Sequence, residues 1–317
     1  MSGVTYFEAI VVGLLQGVTE LFPISSLGHS VLLPALLGGQ WAQDLTMSKG
    51  SPYLSIIVAM HVATALALVV FFWRDWVRLL GGLVSSIRNR RIDTPEERLI
   101  WLLIAGTIPV GIAGLILTTF LEEYLGKPVP SALFLALNGV VLYAAERLRR
   151  RGDTTPQHTR QPQFAEQTID FSAEQTMLLP TVTAELAADR RLSRLSFREG
   201  IALGSAQIMG LFPGLSRSGS TIAAGLFRGL RHDDAARFAF LLATPIILAA
   251  GVLKLPQLFT PQNHAVLGPA LLGSLIAGVA SYISVRFLTS YFETRTLTPF
   301  AIYCVAAGLG SFVYFIA

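Results

Sequence analysis

The chain has a single cysteine, Cys304, among 317 residues. That scarcity excludes an intrachain disulfide, and the place of Cys304 inside the last apolar run makes it a packing residue. Charge is scarce too. Only 14% of the residues are Asp, Glu, Lys or Arg, where a soluble domain has about 25%. With 52% hydrophobic residues, many in long runs, this excludes an ordinary soluble domain and indicates a polytopic membrane protein. Residues 1–8 lack the basic n-region and small-residue cleavage site of a signal peptide. The net charge of +4 is no nucleic-acid signal, because the basic residues fall in loops between apolar runs. The partner that the composition points to is the lipid bilayer.

What is present is a polar constellation where none belongs. Gln16-Gly-Val-Thr-Glu-Leu-Phe-Pro-Ile-Ser-Ser-Leu-Gly-His29 sits inside an apolar run from about residue 10 to 37. An ionised group at membrane depth costs several kcal/mol, roughly 3 on insertion scales, so such residues mark function. Pro23 and Gly28 interrupt the run, which predicts two half-helices joined at a polar turn. Leu21-Phe22-Pro23 with Ser26 returns as Leu211-Phe212-Pro213 with Ser216, followed by Arg217-Ser-Gly-Ser-Thr221. Two interrupted apolar segments at matching places in two halves predict a site between them.

Apolar runs at 53–73, 99–120, 129–146, 238–255, 266–287 and 298–316 predict six full spans. A Gly/Gln/Asp loop is expected at 38–52. Residues 76–87, with Leu and Val at helical spacing, are expected to lie on the membrane surface. The polar, Pro-bearing segment 154–163 reads as a flexible loop, and residues 177–192 could hold a short helix. The expected fold class is therefore all-α, with an inverted-topology repeat. Each half has one re-entrant helix pair plus three transmembrane helices: 1–150, then a polar cytoplasmic insertion at 151–197, then 198–317. This layout puts 20 of the 24 Lys and Arg on one side. The positive-inside rule makes that side cytoplasmic and both termini external. Lys49, Lys127 and Lys254 fall on the other side, and Arg217 alone stays at membrane depth.

Gln16 and Glu20 are four apart and share a helix face. A carboxylate and an amide there could ligate a hard cation, which also binds substrate phosphate. Ser25, Ser26 and His29 follow at the turn, and serine with a nearby imidazole is the pairing that activates a hydroxyl. Arg217, flanked by Ser216 and Ser218 and near Gly214 and Gly219, suits an oxyanion at a half-helix N-terminus. Blander readings compete. Gly28 and Gly214 could be packing glycines, lone serines could bond their own helix, and Glu20 with Arg217 could be a structural ion pair. His61 reads as a packing or interface residue, Glu8 as a helix-end residue, and Lys254 as a snorkelling one.

Gln16-Gly-Val-Thr-Glu20 resembles the (E/Q)xxxE motif of the undecaprenyl pyrophosphate phosphatase family of the BacA type. Pro23-Ile-Ser-Ser-Leu-Gly-His29 resembles its following turn. Pro213-Gly-Leu-Ser-Arg-Ser-Gly-Ser-Thr221 fits its PGxSRSxxT motif at every fixed position. The likeness covers nearly the whole chain, apart from about 155–195. It implies a bacterial inner-membrane enzyme that removes the terminal phosphate of undecaprenyl diphosphate, recycling the cell-wall lipid carrier and conferring bacitracin resistance. It also implies a divalent cation, Mg2+ or Ca2+, held by Glu20 and Gln16, and a site opening to the periplasm. The nucleophile falls on Ser26, the histidine on His29, the phosphate clamp on Arg217 and the acidic residue on Glu20. Ser25, Gly28, Gly214, Ser216, Ser218 and Thr221 would contact the diphosphate of a polyprenyl lipid. Many members have glutamate where this chain has Gln16. A homodimer is compatible with such a chain. The rival reading is a secondary transporter or lipid flippase, where inverted repeats with broken helices are commonest.

Overall fold

A computed structural model describes residues 4–46, 51–120, 126–153 and 179–317. Among them every regular element is a helix. Helix α1 (Tyr6–Thr19) opens on a capping box: Thr5 Oγ1 accepts from the Glu8 N–H, and Glu8 Oε2 accepts from the Thr5 N–H. A turn at 20–25 separates it from α2 (Ser26–Leu37). The expected loop at 38–52 contains a short helix, α3 (Gly39–Asp44). Gly38 and Gly39 reverse the chain with positive φ, and Trp41 packs edge-on against Phe7.

The first full-length apolar helix is α4 (Pro52–Phe71), then α5 (Trp73–Asn89), α6 (Pro95–Phe120) and α7 (Pro128–Asp153). Helix α5 is amphipathic. Trp73, Val77, Leu80, Val84 and Ile87 form one exposed apolar stripe, while Asp75 and Leu79 are buried on the other side. An exposed stripe at helical spacing suits the lipid interface.

After the segment at 154–178, which lies outside the described residues, come α8 (Leu179–Leu192) and α9 (Phe197–Ser205). Asp189 and Leu192 of α8 are buried, so the C-terminal end of the expected insertion packs on the helices rather than standing free. Asp189 pairs with Arg78 of α5 and Arg237, and Asp75 pairs with both arginines as well. Helix α9 repeats the opening of α1: Ser196 and Glu199 form a second capping box. A 3-10 turn at Ala206–Leu211 leads to the second interruption and α10 (Arg217–Phe227). Then follow α11 (His232–Lys254), α12 (Leu267–Thr294) and α13 (Thr298–Ile316).

Six of these helices are long and apolar enough to cross a membrane, namely those containing α4, α6, α7, α11, α12 and α13. The chain is a multi-pass, all-α membrane protein. Each interrupted pair precedes three such helices in the chain. The pairs pack crosswise: α1 lies on α12, and α9 lies on α6. Small residues make both approaches close. A Cβ on Gly13 would stand 2.4 Å from the Gly273 carbonyl oxygen, and one on Gly204 would stand 2.1 Å from that of Gly106. Helices α2 and α10 both pack on α7, which brings the two interruptions together.

Candidate active site

The two turns are joined by backbone-to-side-chain bonds. Ser25 takes a positive φ of 72°. Its Oγ accepts from the Gly28 N–H at 3.2 Å, capping α2, and from the Gly214 N–H at 3.1 Å, reaching the other interruption. Gly214 itself has φ 109° and runs so close to α7 that a Cβ there would stand 2.3 Å from the Ser131 carbonyl oxygen. A Cβ on Gly28 would stand 2.8 Å from Gly214 Cα. The two glycines touch each other. In this arrangement the N–H groups of both glycines have Ser25 as acceptor.

Ser216 caps α10 by accepting from the Gly219 N–H at 3.1 Å. By role, then, Ser216 matches Ser25 rather than Ser26, a shift of one residue from the sequence pairing. In each segment a cap serine is followed by the residue at the first helical position, Ser26 in α2 and Arg217 in α10. Both half-helix N-termini direct positive potential to one place. Asn138 of α7 holds the turns in register: its Nδ2 donates to the Pro23 carbonyl at 2.8 Å, and its Oδ1 accepts from the Ser216 N–H at 3.0 Å. Nothing in the sequence singled out Asn138.

Glu20 is the centre of the cluster. It caps the C-terminus of α1 and is 7% exposed. Its Oε1 pairs with the Arg217 guanidinium. Its Oε2 takes three contacts: Gln16 Nε2 at 3.0 Å, Ser26 Oγ at 2.5 Å and His61 Nε2 at 3.1 Å. The ion pair weighed as a structural alternative is therefore present. So is a serine–carboxylate pair. Ser26 and His29, expected to act together, are not paired. Residue 29 lies one turn further along α2, and its ring is held elsewhere: Nδ1 contacts the Ser25 carbonyl at 2.7 Å and Nε2 contacts the Tyr303 hydroxyl at 2.7 Å, with the two rings stacked.

The remaining expected residues sit around this core. Ser218 Oγ is 3.1 Å from Ser216 Oγ and 3.4 Å from the Glu20 carbonyl. Thr221 Oγ1 donates to the Arg217 carbonyl at 2.9 Å, the back-bonding expected of a helical threonine. His61 was read as packing, yet it faces the carboxylate. The signal was available, since a histidine near the middle of a span is an intramembrane ionisable residue.

Few protein groups here could hold a cation. Among the described residues no three of His, Cys, Asp and Glu gather into a metal set. Glu20 is already balanced by Arg217. Gln16 Oε1, however, is buried with no hydrogen-bond partner, an open oxygen beside the carboxylate. A hard cation takes about six oxygens, so this donor set fits one that arrives on phosphate oxygens and keeps water. It does not fit one caged by the protein alone.

Comparison with known proteins agrees with these motifs. The family model described as bacitracin resistance protein BacA matches residues 9–310. A Mycolicibacterium paratuberculosis protein called undecaprenyl-diphosphatase is 58% identical over 311 residues, covering 98% of this chain and 97% of that protein. Undecaprenyl-diphosphatase 2 of Frankia alni is 48% identical over 97% of both chains. Undecaprenyl-diphosphatase 1 of Burkholderia pseudomallei is 40% identical over 95% of this chain and 93% of its own.

Proposed function

The chain belongs to the bacitracin resistance protein BacA family, and from that premise we propose that it hydrolyses undecaprenyl diphosphate to undecaprenyl phosphate and phosphate. The observation that carries this reading is the Arg217–Glu20–Ser26 contact set, where a guanidinium, a carboxylate and a hydroxyl meet at two half-helix N-termini. A carrier needs no nucleophile hydrogen-bonded to a base, so the set favours a hydrolase.

The diphosphate docks at the joined turns, and its prenyl chain runs out between apolar helices. Arg217 turns its fork from Glu20 to two oxygens of the terminal phosphoryl group, a geometry suited to bidentate binding. Glu20 Oε2 accepts the Ser26 proton as Oγ attacks phosphorus. The bond to the bridging oxygen breaks, and undecaprenyl phosphate leaves. Water then attacks the phosphoserine, its protons staying on the oxygens of the released phosphate; the Oγ–P bond breaks, Glu20 returns its proton to Ser26 Oγ, and phosphate departs. Positioning and charge stabilisation supply most of the acceleration, as is general for phosphoryl transfer. A divalent cation, Mg2+ or Ca2+, would be held by Gln16 Oε1 and Glu20 with the substrate's own oxygens. Bound there, it neutralises phosphate charge. His29 has its ring committed to Ser25 and Tyr303 and orients the start of α2.

The same reading puts the protein in the bacterial inner membrane as two inverted halves. The 20-to-3 split of Lys and Arg supports this choice of cytoplasmic face, with the site opening to the periplasm. Crosswise packing of α1 on α12 and α9 on α6 supports the inversion. The product recycles the lipid carrier of cell-wall synthesis, and removal of the diphosphate lowers bacitracin sensitivity. Purified protein in detergent micelles should release one phosphate per undecaprenyl diphosphate and leave the monophosphate. Ser26→Ala should abolish that release; undiminished release by this variant would remove the serine step.

A further inference from the structure

We infer that His61 is a positioning residue of this reaction, holding Glu20 Oε2 toward Ser26 from outside the helix that carries Glu20. The inference rests on the roles of Glu20 and Ser26 proposed above. Four elements surround the carboxylate: Gln16 comes from α1, Ser26 from α2, His61 from α4 and Arg217 from α10. They are not equivalent during turnover. Gln16 lies on the helix of Glu20 itself, one turn back, so it cannot fix that helix end against the rest of the site. Ser26 is the reacting group and leaves the carboxylate when it attacks. Arg217 turns to the phosphoryl oxygens when substrate arrives. His61 is then the cross-element contact that stays.

Its own geometry suits a fixed support. Nδ1 lies 2.8 Å from the Ile57 carbonyl oxygen, one turn back in α4, and Nε2 lies 3.1 Å from Glu20 Oε2. With a proton on each nitrogen the ring donates to both oxygens, and it cannot then swing away without losing both bonds. Helix α4 is in turn backed by α12, the helix on which α1 packs. The carboxylate is thus braced against the frame that also carries its own helix. The His61 side chain is 20% exposed, against 5% for Glu20, so it is not simply sealed inside the packing.

The experiment separates a donor from a packed ring. Gln keeps an N–H donor at similar reach without the ring, whereas Phe keeps the ring without a donor. His61→Gln and His61→Phe would be assayed as full-length protein in micelles on undecaprenyl diphosphate, with thermal stability measured alongside. The Gln variant should stay within about threefold of wild type in kcat. The Phe variant should lose at least about tenfold in kcat with KM within about threefold, the pattern of a contact realised at the transition state. His61→Ala should repeat the Phe result if the Phe variant does not fold. In a Glu20→Gln background, His61→Phe should cost less than about threefold more, because the group it positions is gone. Wild-type kcat in the Phe variant, equal losses for Gln and Phe, or a loss confined to KM would each overturn the inference. If the wild-type protein released no phosphate, the proposed function would fail first, and this inference with it.

Discussion

Ser26 Oγ donates to Glu20 Oε2 at 2.5 Å, from the first residue of one half-helix to the capping residue of the one before it. The turn between them brings the two side chains together. Its apolar residues, Leu21 and Ile24, are buried, and its Pro23 carbonyl is taken by Asn138. The turn therefore presents the hydroxyl and the carboxylate together, the pair to which the proposed reaction gives the roles of nucleophile and base. Removing the base should cost more than altering its neighbour: Glu20→Gln should lower kcat/KM at least tenfold, or about 1.4 kcal/mol of barrier. Steady-state phosphate release measures it, and a mild effect equal to that of a Gln16 change would remove Glu20 as the base.

Gln16 gives the test of the cation. Gln16→Glu replaces the donor on Glu20 Oε2 with a second carboxylate about one hydrogen bond away. Like charges so placed repel. The cation relieves that repulsion, so the variant should keep turnover, depend more strictly on a divalent cation and reach half-maximal rate at less free cation than wild type. Titration with Mg2+ after chelation checks this, and an unchanged requirement would sever Gln16 from the cation site.

Ser25 holds two N–H groups, on Gly28 and Gly214, with one oxygen. Ser25→Ala leaves both buried and unpaired, at about 1–3 kcal/mol for such a loss. Thermal stability in detergent should fall clearly, and an unchanged melting temperature would mean the turns do not depend on this link.

The insertion divides in two. Residues 155–178 should be removable through a short Gly/Ser bridge with turnover within about threefold. Asp189 should not be. It is 1% exposed and pairs with Arg78 and Arg237, and breaking a buried pair from one side costs about 3–5 kcal/mol. Asp189→Ala should melt earlier than the deletion. The reverse order would place the structural contribution in 155–178.

Topology can be read by labelling. Thr159 and Gly50, which lie in polar stretches suited to cysteine substitution, are outside the described residues. Asn89 at the end of α5 and Gln257 after α11 are exposed and serve instead. In a Cys304→Ser background an impermeant reagent on intact cells should label a cysteine at 257 and spare one at 89. Labelling only at 89 would invert the orientation.

Much of this was legible in the sequence because it is local. Proline and glycine mark both interruptions, and charge runs mark the helix ends. Six apolar runs fall on the six long helices. Each motif also placed its own residues correctly at a turn. What the sequence could not show is which side chains meet across the fold. His61 reaches Glu20 from another helix, Asn138 reaches Pro23 across 115 residues, and His29 is turned toward Tyr303 across 274. The Ser26–His29 pairing failed because closeness along the chain stood in for helix geometry. On α2 the ring at 29 folds back one turn to the Ser25 carbonyl, while Ser26 looks across the turn to Glu20. The close backbone contact of Gly28 with Gly214, between turns almost 190 residues apart, likewise shows only in the folded chain.

The central claim is that Arg217 grips a phosphoryl group and does more than pair with Glu20. Lysine keeps the charge but not the planar fork. Arg217→Lys should stay folded, with a melting temperature in detergent near that of the wild type. Its kcat/KM for phosphate release from undecaprenyl diphosphate should fall at least about a hundredfold, about 2.7 kcal/mol of transition-state stabilisation. Near-wild-type release by the folded Lys variant would contradict the account, leaving Arg217 a structural partner of Glu20 and returning the transporter reading to contention.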